Sequence, residues 1–202
     1  MVRCPTRGRS LETFLVSTGV VALAEMGDKT QLLALFLAAR FRRPWPIILG
    51  IFVATVANHG VAALLGVALA DWLNGDLLKW LLGAGFIVMG LWALKPDTLE
   101  EGEVAQVRRR DAFLATLVAF FCVEIGDKTQ IATMALAARF QDLFQVTLGT
   151  TLGMMLANVP AVLLGGFIAD RLPLQTLRIS AAAIFVLFGC VVLLEAAGWT
   201  FW

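Results

Sequence analysis

Two short stretches of this chain place reactive groups inside otherwise apolar sequence. Glu25-Met26-Gly27-Asp28-Lys29-Thr30-Gln31 and Glu124-Ile125-Gly126-Asp127-Lys128-Thr129-Gln130 each hold two carboxylates, one ammonium, one hydroxyl and one amide. Such oxygens are hard donors suited to calcium, manganese or magnesium, whereas copper and zinc favour thiolate or imidazole clusters, and the sequence has none. Glu25, Asp28, Glu124 and Asp127 are therefore the candidate metal ligands. Gln31, Gln130, Asn58 and Asn158 can add amide oxygens, and Thr30 and Thr129 hydroxyls. Lys29 and Lys128 balance charge, and Gly27 and Gly126 permit local unwinding or close approach of another helix.

On a continuous helix, at about 100° per residue, Glu25 and Asp28 share a face. Lys29 then pairs with Glu25 at the favourable spacing of four. This geometry leaves Asp28 and Asp127 as the less satisfied acids and points Thr30 away from Glu25. If the two motifs face each other, four carboxylates and two ammonium groups leave a local formal charge of −2. One divalent cation neutralises it, and so do two protons, which is the charge logic of an exchanger.

Other assignments compete residue by residue. The motif charges can serve as an ion-pair network that only fixes helix register, and Asn58 and Asn158 can hydrogen-bond between helices. His59, the only histidine, reads as a packing or local hydrogen-bonding residue rather than a proton carrier. Arg40 and Arg139 read as interface anchors, and Cys122 as packing.

The elements that must position these groups follow from composition. Of 202 residues, 59% are hydrophobic and 15% charged, and the 16 basic and 15 acidic side chains nearly cancel. Nucleic acid is thereby excluded as an expected partner. The three cysteines show no disulfide or zinc spacing. Helices of about 20 apolar residues span a bilayer, and six such stretches are expected: Leu11–Ala39, Pro46–Ala70, Leu77–Leu94, Ala112–Ala138, Val146–Ala169 and Leu174–Ala196. Trp45, Trp72, Trp80, Trp92, Trp199 and Trp202 fall near their ends, where the indole ring meets the membrane–water interface. The charged motifs then sit near mid-bilayer, where one Asp or Lys costs about 2.5–3.5 kcal/mol to insert. Nine basic flanking residues on one side against five on the other put the central loop in the cytoplasm and both termini outside. Arg3, Arg7 and Arg9 before Ala22-Leu23-Ala24 resemble a secretory signal, but the motif after it recurs far from any terminus.

That recurrence is an internal repeat. Shifting the chain by 99 residues aligns Ala22–Phe41 with Phe121–Phe140 at eleven identities in twenty, and pairs Leu49-Gly50 with Leu148-Gly149 and Ala70-Asp71 with Ala169-Asp170. Asn58 matches Asn158 after a one-residue slip. The expected architecture is an all-α integral membrane protein of six transmembrane helices in two three-helix repeats, residues 1–94 and 112–202, joined by a polar cytoplasmic linker, 95–111. Three crossings per half invert the second repeat, as in many secondary transporters.

The duplicated Glu-x-Gly-Asp-Lys-Thr motif resembles the calcium/manganese:proton exchanger family, which includes bacterial manganese exporters and a Golgi protein linked to a glycosylation disorder. The resemblance covers nearly the whole chain, with both motifs intact. It implies cation binding by Glu25, Asp28, Glu124 and Asp127 and export of manganese or calcium against protons. No resident cofactor is expected: the metal is cargo and the proton its counter-ion. The expected setting is multi-pass, in the plasma (inner) membrane if the source is bacterial, and a homo-oligomer is compatible with the sequence. A proton-coupled exporter of small organic cations would want an aromatic pocket, and no aromatic cluster flanks either motif. An intramembrane aspartyl protease could use Asp28 and Asp127 as a dyad, but neighbouring lysines favour both acids ionised, whereas such a dyad shares one proton.

Overall fold

The computed structural model describes residues 7–73, 75–95, 111–164 and 174–199. These form eight α-helices: α1 (Arg7–Glu25), α2 (Lys29–Phe41), α3 (Pro44–Trp72), α4 (Gly75–Ala93), α5 (Ala112–Glu124), α6 (Lys128–Phe140), α7 (Leu143–Leu164) and α8 (Leu174–Ala196). No strand occurs among the described residues. Four helices, α3, α4, α7 and the 179–196 part of α8, are long and apolar enough to cross a membrane. The linker residues 96–110, the end of the fifth expected span (165–169) with residues 170–173 after it, and Trp202 lie outside the described residues.

The expected first and fourth spans are each two helices, not one. The chain leaves the helix after Glu25 and re-enters at Lys29, and does the same between Glu124 and Lys128. Gly27 (φ +82°) and Gly126 (φ +77°) take the left-handed conformation that side chains disfavour. Asp28 and Asp127 are extended and cap the next helix, each accepting a hydrogen bond from the backbone N–H two residues on. The second helix of each pair ends alike, on Arg42 (φ 52°) and Gln141 (φ 55°), which occupy equivalent positions in the repeats. Pro44 in the first turn of α3 suits a helix start, where its missing N–H is no loss.

The halves interleave. Helix α1 packs on α7 of the other half, and α3 packs on α5 and α6. In the first contact Gly149 meets the Phe14 carbonyl and Ser17, and Gly153 meets the Thr18 carbonyl and Val21, so the two helices run parallel. Gly50 beside Thr116 and Gly66 beside Ala137 set α3 parallel to the α5–α6 pair. Helices α4 and α8 run antiparallel: Gly83 abuts Leu193 and the Gly189 carbonyl, and Gly90 abuts Val186 and the Ala182 carbonyl. Small residues at these contacts let backbones approach closely, the usual basis of helix association in lipid.

Inside, Val20, Leu82, Phe86, Leu136 and Phe185 belong to one apolar cluster, and Val21, Leu33, Ile51, Phe120 and Met154 to another. Helix α3 buries Ile51, Ala54, Thr55, Asn58, His59, Ala62 and Ala63, an inward stripe at helical spacing. Large apolar side chains such as Leu64, Leu91 and Leu187 face outward, and Trp72 is 92% exposed, as a lipid-facing surface requires. Cys122, expected in packing, is exposed instead.

Candidate metal-binding site

Each helix break brings its motif into a compact turn. Asp28 N–H donates to the Glu25 carbonyl at 3.0 Å, and Asp127 N–H to that of Glu124 at 3.1 Å. Gln31 reaches back, its Oε1 accepting from Gly27 N–H at 3.0 Å, while its Nε2 donates to the Ala157 carbonyl of α7 at 3.1 Å. Gln130 does the same for Gly126 N–H at 2.8 Å. The two glutamines, expected as additional ligands, therefore have their carbonyl oxygens engaged in closing the turns. Thr30 Oγ1 donates to Glu25 Oε2, contrary to the outward direction expected from a continuous helix, because the chain doubles back between the two residues. Thr129 Oγ1 lies 3.5 Å from Glu124 Oε2 and 3.3 Å from Asp127 Oδ2.

The lysines are paired across the repeats rather than within them. Lys29 Nζ lies 3.4 Å from Asp127 Oδ1, and Lys128 Nζ pairs with Asp28 Oδ1. The expected intrahelical Glu25–Lys29 pair depended on a helix that is not there. Asp28 and Asp127, expected to be the less satisfied acids, each hold a helix cap and a lysine. Glu25 and Glu124 are fully buried, and one oxygen of each, Oε1, has no hydrogen-bond partner. Ligand oxygens of Glu25, Asp28 and Asp127 lie within 4.8 Å of one another, all three residues being buried. Glu124 stands beside this trio, on the turn that carries Asp127.

The remaining candidates surround the turns. Asn58 Nδ2 donates to the Phe121 carbonyl at 3.1 Å, joining α3 to α5. Asn158 Nδ2 donates to the Met154 carbonyl at 3.1 Å within α7, and its buried Oδ1 has no hydrogen-bond partner. His59, expected to pack or bond locally, is fully buried, with Nε2 3.6 Å from Glu124 Oε2. The repeat did not flag it, since the 99-residue shift puts Asn158 rather than a second histidine at the matching position. Arg139, expected at the membrane interface, grips Glu195 of α8 with two contacts, 2.8 and 2.6 Å. The aromatic contacts Phe86–Phe185, Phe86–Phe188 and Phe140–Phe188 lie among α4, α6 and α8 and involve no motif residue. A cavity of about 630 Å³ is also separate from the carboxylates; Arg40, Phe41, Arg43, Pro46, Asp111, Ala112 and Phe113 line it.

The two motifs thus form one buried cluster of carboxylates, lysines and hydroxyls, and sequence comparison adds the family of the chain that carries it. The profile of the family described as "Divalent cation/proton antiporter GDT1" matches residues 13–101 and 112–200, one match per repeat. The chain belongs to the GDT1 family. Among GDT1-related proteins, a Vibrio cholerae protein named "Putative manganese exporter" is 52% identical over 91% of each chain. A GDT1-like protein of Synechocystis is 29% identical over 90% of this chain and 96% of its own. The Saccharomyces cerevisiae protein named "Divalent cation/proton antiporter GDT1" is 22% identical over 92% of this chain and 85% of its own. No solved structure matches the chain. The GDT1 family is one of membrane cation/proton antiporters, not of enzymes, so the aspartyl-protease alternative falls.

Proposed function

We propose that this chain exports a divalent cation, manganese first and calcium second, in exchange for protons, and that Glu25, Asp28, Glu124 and Asp127 carry the cation. The observation that carries this reading is the meeting of Glu25, Asp28 and Asp127 oxygens within 4.8 Å in a buried site assembled from both repeats. Two oxygens on opposite sides of an ion at about 2.2 Å, between the magnesium and calcium bond lengths, lie about 4.4 Å apart. The trio therefore needs little movement to close on one ion. Asn158 Oδ1 is a further donor in the same region, and Thr30 and Thr129 orient the glutamates. The relative named for manganese supports testing that ion first.

The exchange follows from charge. With Lys29 and Lys128 in place, the four acids leave −2, and either one divalent cation or two protons make the site neutral enough to reorient through lipid. The proposed architecture has six crossings, with α1–α2 and α5–α6 each crossing as a broken pair beside α3, α4, α7 and α8. The α4–α8 contact supports inversion of the repeats. Gly83 and Gly90 are equivalent by the 99-residue shift to Ala182 and Gly189, so the contacts Gly83 with Gly189 and Gly90 with Ala182 exchange under a two-fold axis. Equivalent helices that meet antiparallel belong to oppositely oriented halves. In this reading the linker is cytoplasmic, both termini are outside, and the setting is the plasma (inner) membrane of a bacterium.

The test is purified protein in liposomes containing a pH dye. A manganese gradient should drive proton movement of two protons per ion, insensitive to an imposed membrane potential. Asp28→Asn or Asp127→Asn should abolish it. Wild-type protein that moves no metal overturns the exporter reading; variants that transport normally overturn the site.

A further inference from the structure

We propose that His59 supplies a nitrogen ligand to the transported cation and sets a preference for first-row transition ions, manganese among them, over calcium and magnesium. This inference rests on the exporter reading and adds a ligand outside the duplicated motif.

Four observations lead to it. His59 is fully buried in α3, and neither ring nitrogen has a hydrogen-bond partner. A buried polar group left unsatisfied costs about 1–3 kcal/mol, so such groups are rare without a function. Its Nε2 faces Glu124 Oε2 at 3.6 Å, with both side chains inaccessible. That separation is too long for a hydrogen bond. It suits two donors on one ion: at about 2.2 Å from a common centre they stand about 3.1 Å apart at a right angle and about 3.6 Å at a tetrahedral angle. Glu124 Oε2 is tied through the Thr129 hydroxyl to Asp127, a member of the carboxylate trio. The histidine therefore opens on the same site rather than a separate one.

The imidazole also breaks the repeat. By the 99-residue shift the second half has Asn158 at the matching position, so only one side of the site offers an imidazole. Calcium and magnesium bind through oxygen. Transition ions accept imidazole, and a single histidine among carboxylates tilts the site toward them without creating the thiolate or multi-imidazole set that would trap copper or zinc.

Since the chain has one histidine, the test is unusually clean once any purification tag is removed. Manganese bound to the wild-type protein should show a nitrogen hyperfine coupling in pulsed electron paramagnetic resonance, changing from the ¹⁴N to the ¹⁵N pattern when only histidine is labelled. His59→Gln should lose the coupling and lower the manganese-to-calcium transport ratio by about tenfold or more. Bound manganese without a histidine coupling overturns the proposal. So does His59→Gln if it lowers manganese and calcium transport equally, which is a structural effect, or changes neither. A wild-type protein that neither binds nor moves manganese or calcium overturns the exporter reading itself, and this inference falls with it.

Discussion

At the residue scale, the site is organised by two ion pairs that each join one repeat to the other. Lys128 and Asp28 are both almost inaccessible. Removing one partner of a buried pair leaves an uncompensated charge and costs about 3–5 kcal/mol, whereas removing both costs far less. Lys128→Met and Asp28→Asn should each lower the melting temperature in detergent sharply, and the double variant should recover much of the loss. Transport should stay absent in the double variant, because the carboxylate is gone. Full additivity of the two losses would show that the pair contributes nothing as a pair. In the proposed exchange the oxygens that bind the cation also take the protons, so lowering pH on the loading side should raise the apparent KM for manganese. A KM that does not move with pH would separate the proton path from the metal site. The acids, lysines and their doubling were legible in the sequence because charge in apolar surroundings has few innocent explanations. Their partners were not legible: a spacing of four suggested Glu25 with Lys29, and only the turn between them sends Lys29 to Asp127.

At the element scale, the decisive feature is the pair of breaks at Gly27 and Gly126. A sequence signal for them existed. Asp-Lys-Thr-Gln is a helix start, with an aspartate cap and a glutamine three residues on that reaches back, and the preceding glycine is a helix stop. Apolar continuity on both sides outweighed it in the expectation of one long span. A Cβ on Gly126 would meet nothing within 4 Å, so Gly126→Ala isolates the backbone conformation. It should destabilise by about 1–2 kcal/mol, the penalty for a left-handed residue with a side chain, and Gly126→Asn by less. Thermal melts of the two variants check this; an alanine variant as stable as wild type would mean the turn relaxes freely. Pro46–Ala70, Leu77–Leu94 and Leu174–Ala196 match the helices they named within two residues, and Val146 begins three residues inside α7.

At the scale of the whole molecule, the repeat was legible as an equivalence between positions, but equivalence does not say which surfaces touch. The structure adds the exchange: α1 packs on α7, α3 on α5 and α6, and α4 on α8. At the last contact, a methyl group on Gly189 would stand 2.7 Å from the Gly83 carbonyl, where neither backbone can yield easily. Gly189→Ala should therefore cost about 1–3 kcal/mol. Gly85→Ala, on the same interface helix but with nothing within 4 Å, should be neutral or gain up to about 1 kcal/mol from helix propensity. Equal melting temperatures for the two variants would contradict the close antiparallel contact.

The crosswise pairing also bears on the order of synthesis. Lys29 and Asp28 find their opposite charges in the second half, so while the first half emerges and enters lipid, their partners have yet to be translated. A ribosome must add about a hundred more residues, and at about 5–20 residues per second that takes several seconds or more. During that interval the nascent protein, if its first motif lies in the membrane as proposed, carries buried charges whose partners are still to come. Residues 1–95 expressed alone should therefore be cleared by membrane quality control, and co-expression of 111–202 should rescue their accumulation. The two halves were duplicated as sequence, but each holds the partners of the other's buried charges.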